Sequence, residues 1–364
     1  MSLRETLHGK NINFLIGSGA SFPVFKTLWL GDDKPSFEDI VSCNLISDNN
    51  KKALYYYYYK NWIKEMIDID LNTINENVKN NYSKFISQIL ETLSTEGNEK
   101  AKRANIFTTN YDLLFEYTFE SIIQKNNYCF FNDGSSGFIT KTLNTNWYNL
   151  CVLQTGYNDK YKREIPTINL YKMHGSINWS KDNTNKINIT YNSNITINPI
   201  QKLDEIDFIN DIISHLNTNH NYIALNTYLS SITESIEADL DNFHNNYKKL
   251  AIINPDKWKF YETVYEQHYY QMIRNFSYEL EKKDTILIVF GFSFADEHIL
   301  DIFKRTLSNP TLEVIIICYT ENSKNEISEK IGTSKNIKYF PQDFTEIKGD
   351  FDYLNQSLNG TDNE

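Results

Sequence analysis

Four short stretches share one pattern, and it leaves few folds open. In each, a run of β-favouring apolar residues stops abruptly in small or polar ones. The runs are Phe14-Leu15-Ile16 before Gly17, Ile106-Phe107 before Thr108-Thr109-Asn110, Leu170-Tyr171 leading to His174, and Ile286 to Phe290 before Gly291. An uninterrupted apolar run, without polar alternation, fits a strand covered on both faces, as in parallel sheets flanked by helices. The small and polar residues then fall at the carboxyl edge of that sheet, where α/β proteins bind ligands. Strand patterns alternate with helical ones along the chain, so the expected class is α/β with a mainly parallel sheet.

The chain has 364 residues, enough for one large domain with insertions. Its net charge of −11 and the absence of a long basic run argue against direct nucleic-acid binding. No apolar run approaches the roughly 18 residues of a membrane span, and no signal-peptide pattern opens the chain. Cys43, Cys129, Cys151 and Cys318 are too scattered for a zinc ribbon built on local CxxC pairs. They read as reduced thiols, and the expectation is a soluble, cytoplasmic protein without a metal. Asn and Tyr are frequent, Tyr reaching 25, which reads as compositional bias.

Taken in order, residues 11–16 form a strand and Gly17-Ser18-Gly19-Ala20-Ser21 a tight loop after it. Small residues there let a ligand approach the backbone N–H groups, a setting suited to phosphate oxygens. Phe22 and Pro23 stand where a third glycine of GxGxxG could fall, and no Walker A lysine follows. Alone, the loop equally reads as an ordinary turn. Residues 36–44 form a short helix. Residues 50–100 are helical, with apolar or aromatic residues at 55, 58, 59, 62, 63, 66 and 67, and a second helix over 76–94. The aromatic face is expected to pack on the domain, a subunit contact being the alternative. Tyr111 to Ser121 reads as a helix with Asp112 at its start, where a carboxylate caps. Residues 126–169 are irregular and β-rich, 186–197 a hairpin of exposed strands, 203–249 mostly helical and 258–281 a long amphipathic helix. Ile252 to Pro255 resembles another strand end. A helix then follows Asp296, with strands at 312–318 and 337–340. The expected organisation is one domain over 1–349 with helical insertions at about 50–100 and 200–280, and a polar C-terminal tail at 350–364, frayed over 355–364.

Together the four motifs resemble the sirtuin-like (silent-information-regulator type) NAD-consuming domain. Gly17-Ser18-Gly19-Ala20-Ser21 is similar to its Gly-Ala-Gly-x-Ser loop, and Thr109-Asn110-Tyr111-Asp112 to its Gln-Asn-x-Asp segment, with Thr109 in place of glutamine. Lys172-Met173-His174-Gly175 resembles the segment carrying its histidine base, and Gly291-Phe292-Ser293 its Gly-Thr-Ser or Gly-Tyr-Ser turn. Phe290 to His298 is most like the bacterial anti-phage defence branch. The cysteine pairs of the deacylase zinc module are missing, as is the Pro-Asp-Phe-Arg continuation after the glycine loop.

The resemblance implies a Rossmann-like sheet and NAD as substrate. It implies that Asn110, His174 and Asp112 are catalytic: Asn110 positions ribose or water, His174 acts as base, and Asp112 contacts the nicotinamide end or orients Asn110. Gly17, Ser18, Gly19, Ala20, Ser21 and Thr109 would bind the cofactor with Gly291 and Ser293. It implies an NAD hydrolase that depletes cellular NAD in anti-phage defence, gated by homo-oligomerisation or by a hexameric HerA-type ATPase. The alternatives are a protein deacylase, or a structural or sensor subunit that binds NAD or ADP-ribose without catalysis.

Overall fold

In the computed structural model, residues 3–360 are described except 29, 31–34, 71–72, 98–99, 126–127, 192–196, 217–220 and 256–265. The apolar runs become the strands of a seven-stranded sheet. These are β1 (Asn11–Ile16), β2 (Arg103–Thr108), β3 (Phe130–Asn132), β4 (Thr167–Lys172), β5 (Thr285–Phe290), β6 (Leu312–Ile317) and β7 (Ile337–Phe340). Their order is β7-β6-β5-β1-β2-β4-β3, and every pairing is parallel. Helices flank the sheet, so the α/β, Rossmann-like expectation holds. The chain builds outward from β1 on one side, then returns to lay β5 on the other. The carboxyl ends of β1 and β5 therefore border the topological switch point, where open α/β sheets hold ligands.

Both faces of the sheet are covered, which is why the strands read as unbroken apolar runs. On one face Ile12, Phe14, Ile106, Leu170, Ile286 and Ile288 pack with the Glu76–Thr95, Leu114–Gln124 and Phe351–Asn359 helices. On the other, Leu15, Phe107, Tyr171, Leu287 and Val289 meet Met272 and Phe276 of the Gln267–Glu281 helix. Residues 258–265 of the expected long helix lie outside the described residues. A third cluster is helical. Tyr56, Tyr57 and Tyr58 of the Asp48–Tyr58 helix are buried with the Tyr222–Thr233 and Glu237–Tyr247 helices. The aromatic stripe thus packs inside the chain, with Tyr58 stacked on Phe37 at 5.3 Å between centroids.

Two expectations need correction. The polar tail at 350–364 is, over Phe351–Asn359, a docked amphipathic helix. Asp350 caps it by accepting from the Tyr353 N–H, Gly360 closes it in the left-handed region, and Leu354 and Leu358 are buried. Two leucines at i and i+4 contribute roughly 1.5–3 kcal/mol each when fully buried, enough to order a polar segment. The expected exposed hairpin at 186–197 is instead an internal strand, Ile187–Ile189, of a second, antiparallel sheet. It pairs with Gly175–Lys181 on one side and Lys141–Leu143 on the other, and both isoleucines are buried. Residues 192–196 lie outside the described residues.

Part of the asparagine content has a structural cause. Asn13, Asn105, Asn169 and Asn132 occupy one register row across β1, β2, β4 and β3, all buried. Each side chain bonds the next: Asn105 donates to Asn13 at 2.8 Å, Asn169 to Asn105 at 2.9 Å and Asn132 to Asn169 at 2.9 Å. The strand spacing of about 4.8 Å lets a row of amides bond side by side. This row satisfies polar groups whose burial would otherwise be costly. Among the described residues no helix is long and apolar enough to cross a membrane.

Candidate active site

Three glycines make the floor of the site. The loops after β1 and β5 cross so closely that a Cβ on Gly17 would lie 2.4 Å from the Gly291 carbonyl oxygen, and one on Gly19 would lie 2.8 Å from the Gly291 Cα. Gly291 itself has φ +63°, and a Cβ there would meet the Ala20 nitrogen at 2.5 Å. These glycines are required by packing between the loops. The loop amides are also engaged: Gly17 donates to Phe290 O at 3.0 Å, Gly19 to Gly291 O at 2.9 Å, Ala20 to Gly17 O at 3.1 Å and Ser21 to Ser18 O at 3.1 Å. Ser18 and Gly19 are exposed, while Gly17, Ala20 and Ser21 are buried.

The end of β2 is tied into this loop. Asn110, 8% exposed, donates from Nδ2 to Gly17 O and to Ser21 Oγ, both at 3.0 Å. Both hydrogens of its amide are thereby engaged, and Oδ1 is the atom left to meet a ligand. The Ser21 hydroxyl donates to Asp112 Oδ2 at 2.6 Å, with the Tyr82 hydroxyl 3.3 Å away. Asp112 Oδ1 accepts from the Leu114 N–H at 3.0 Å, at the start of the Leu114–Gln124 helix. Asp112 thus engages the first N–H of the helix, whose N-cap is Leu113, and through Ser21 orients Asn110. With both oxygens engaged, its geometry favours the orienting role over contact with a ligand.

His174 stands at the same height on the neighbouring strand. Thr108 and Lys172 are register partners, so Asn110 and His174 each lie two residues past a paired position. His174 is 3% exposed and occupies the turn between β4 and the Gly175–Lys181 strand. Its carbonyl accepts from Ile253 N at 2.8 Å, and Ser176 Oγ donates to Tyr111 O at 3.2 Å. A second imidazole, His298, lies 5.5 Å from the His174 ring, between centroids, at an interplanar angle of 30°. Thr109, next to Asn110 in the chain, is half-buried, whereas Ser293 is exposed, its carbonyl accepting from Lys330 Nζ at 3.1 Å. Asn110, Asp112 and Ser21 therefore form one network over the Gly17–Gly291 floor, and Ser293 stands apart from it.

The sequence assigns no role to several residues in this region, Lys172 and Tyr111 among them although both stand inside the motifs. Lys172 and Glu116 form an ion pair at 3.2 Å with side chains 2% and 8% exposed, below the Asp112 turn. Burial pushes the Glu116 carboxyl above its ordinary range, with Lys172 opposing the shift. Burial also raises the Tyr111 hydroxyl, which donates to Ile253 O at 2.6 Å. His268 is the second residue of the Gln267–Glu281 helix, whose Tyr269 hydroxyl would lie 2.7 Å from a Cβ at Gly175.

Burial holds the His268 imidazole down to about 4, against its ordinary 6.5, with Glu266 opposing and Lys181 adding to the shift. Between those values the unfolded chain takes a proton that the folded one refuses. Stability is then full above pH 6.5 and is lost as pH falls toward 4, by up to ~3 kcal/mol for this group. Urea unfolding at pH 7 and pH 4.5 should show a smaller acid loss in His268→Gln than in wild type. Equal losses would remove His268 as a cause.

A model of the SIR2-like domain family matches residues 104–224, about a third of the chain. The match starts inside β2 and takes in Asn110, Asp112 and His174. The glycine loop after β1 and Gly291 lie outside it. No curated protein matches the chain. SIR2-like domains are NAD-dependent enzymes, either deacylases or NAD hydrolases, and NAD is the cofactor they use. Among the described residues, no group of three or more His, Cys, Asp or Glu is placed to hold a metal ion.

Proposed function

We propose that this SIR2-like chain hydrolyses NAD at the bond between nicotinamide and ribose, giving nicotinamide and ADP-ribose. The observation that carries the reading is Asn110. Its amide is locked by Gly17 O and Ser21 Oγ, which leaves Oδ1 as a fixed acceptor at the carboxyl edge, level with His174. The switch-point position and the side-chain-free floor of Gly17, Gly19 and Gly291 fit a dinucleotide lying across the strand ends. Exposed Ser18, at the crest of the loop, is placed to meet the pyrophosphate.

The leaving nicotinamide is already cationic, so its C–N bond breaks with little acid assistance and an oxocarbenium-like ribose develops. Asn110 Oδ1 accepts a hydrogen bond from the attacking water or a ribose hydroxyl and contributes positioning. The new C–O bond forms at the anomeric carbon, and the proton released by water passes to His174, directly or through a ribose hydroxyl. Uncontrolled, such a reaction drains cellular NAD. The role that suits it is NAD depletion during phage infection, held in check by oligomerisation or a partner ATPase of the HerA type.

The test is nicotinamide release from NAD by purified protein, alone and with a HerA-type ATPase. His174→Ala should lower kcat by at least ~100-fold, the usual contribution of a positioned base. NAD turnover that survives this change would sink the assignment of His174. Release of nicotinamide only when an acetylated peptide is present would mark a deacylase instead.

A further inference from the structure

We infer that Lys172 is a positioning residue for the reaction proposed above, acting through the turn that carries Asn110. A lysine at 2% exposure is unusual, because a buried ammonium needs compensation on every side. Lys172 has it: Nζ pairs with Glu116 Oε1 at 3.2 Å and donates to the backbone carbonyl oxygen of Asp112. That carbonyl belongs to the residue whose carboxylate accepts a hydrogen bond from the Ser21 hydroxyl at 2.6 Å. With its proton directed to Asp112, the Ser21 oxygen offers a lone pair to Asn110 Nδ2 at 3.0 Å. A continuous chain thus runs from Glu116 through Lys172, Asp112 and Ser21 to Asn110.

The pair does more than neutralise itself. Glu116 sits on the first turn of the Leu114–Gln124 helix, and Lys172 is the last residue of β4. The ammonium therefore pins the helix start and the Asp112 carbonyl to the strand that delivers His174 two residues later. It sets the separation of Asn110 and His174 without touching substrate. A group with this role alters kcat, because misplacement of a reacting group weakens the transition state more than it weakens substrate binding.

Removing one charge alone would leave its partner buried and uncompensated, and would confuse positioning with stability. The test is therefore Lys172→Met combined with Glu116→Leu, which removes both charges. Melting temperature, kcat and KM for NAD are measured. So is hydrogen exchange of the Asn110 side-chain amide by NMR, its signal identified by its loss in Asn110→Ala. The expected result is a folded protein with kcat lowered between ~10- and ~100-fold, KM within about threefold of wild type, and faster exchange at the Asn110 amide. A folded double variant with wild-type kcat and wild-type amide protection would overturn the inference and leave the hydrolase reading standing. Wild-type protein that releases no nicotinamide, with or without the ATPase, would overturn the hydrolase reading. The amide exchange would still decide whether the pair holds Asn110.

Discussion

Asn110→Ala should lower nicotinamide release from NAD by ~100-fold or more while the protein stays folded. The expectation rests on how the side chain is held. Its two amide hydrogens are engaged by Gly17 O and Ser21 Oγ at 3.0 Å each, so Oδ1 is fixed in direction before substrate arrives. A fixed acceptor at the reacting carbon contributes through positioning, and an error of about 1 Å can itself cost ~100-fold. Alanine removes the acceptor and also one donor each from Ser21 Oγ and Gly17 O, which keep the Tyr82 hydroxyl at 3.3 Å and the Ala20 N–H at 3.1 Å as neighbours, a stability loss of ~0.5–1.5 kcal/mol per bond that melting would reveal. Asn110→Asp separates the two effects. It keeps an acceptor, but it loses the donors and sets a carboxylate against the Gly17 carbonyl and the Ser21 oxygen that serves Asp112. It should therefore be nearly as inactive as alanine. If aspartate restored most of the activity, the locked amide would not be what matters. If alanine turned over NAD at the wild-type rate, the whole site would be misplaced.

The largest stability effect should come from Gly175→Ala. Gly175 has φ +84°, where L-residues are strained by about 1–2 kcal/mol. A Cβ there would lie 2.0 Å from the Ala251 carbonyl oxygen and 2.7 Å from the Tyr269 hydroxyl. The nearer neighbour is backbone in the Leu250–Ile252 strand, paired to the Gly175–Lys181 strand, so no rotamer change relieves the contact. Relief requires these strands to part, which also breaks the Ile253 N–H to His174 carbonyl bond of 2.8 Å. The expected loss is ~3–5 kcal/mol, in the range reserved for severe local disruption. Urea unfolding would measure it. A change below about 1 kcal/mol would mean that the second sheet yields easily around His174. Activity, if the variant folds, should fall with it, because His174 shares the displaced turn.

Much of the main sheet was legible. The strands at 11–16 and 285–290 are found where unbroken apolar runs stop in glycine, since a doubly covered strand cannot carry polar residues at random. The buried asparagine row is the exception that local reading missed. A polar residue inside a strand reads as solvent-facing until its neighbours are known, and Asn105 finds Asn13 only across 92 residues of chain. The same limit hid the C-terminal helix. Its composition is polar, and its two leucines have meaning only against the Glu76–Thr95 helix they dock on.

The candidate site divides the same way. Sequence alone placed Asn110, Asp112 and His174 at strand ends and set glycines beside them, because chain direction and small residues are local properties. Tertiary structure decided what each touches. It put Gly291 against Gly17 and Gly19, turned Asp112 into the group that orients Asn110 through Ser21, and buried Lys172 with Glu116 beneath them. These are relations between strands adjacent in space and distant in the chain. Hydrogen bonds of about 3 Å and buried charges are set by that adjacency, which no spacing along the sequence encodes.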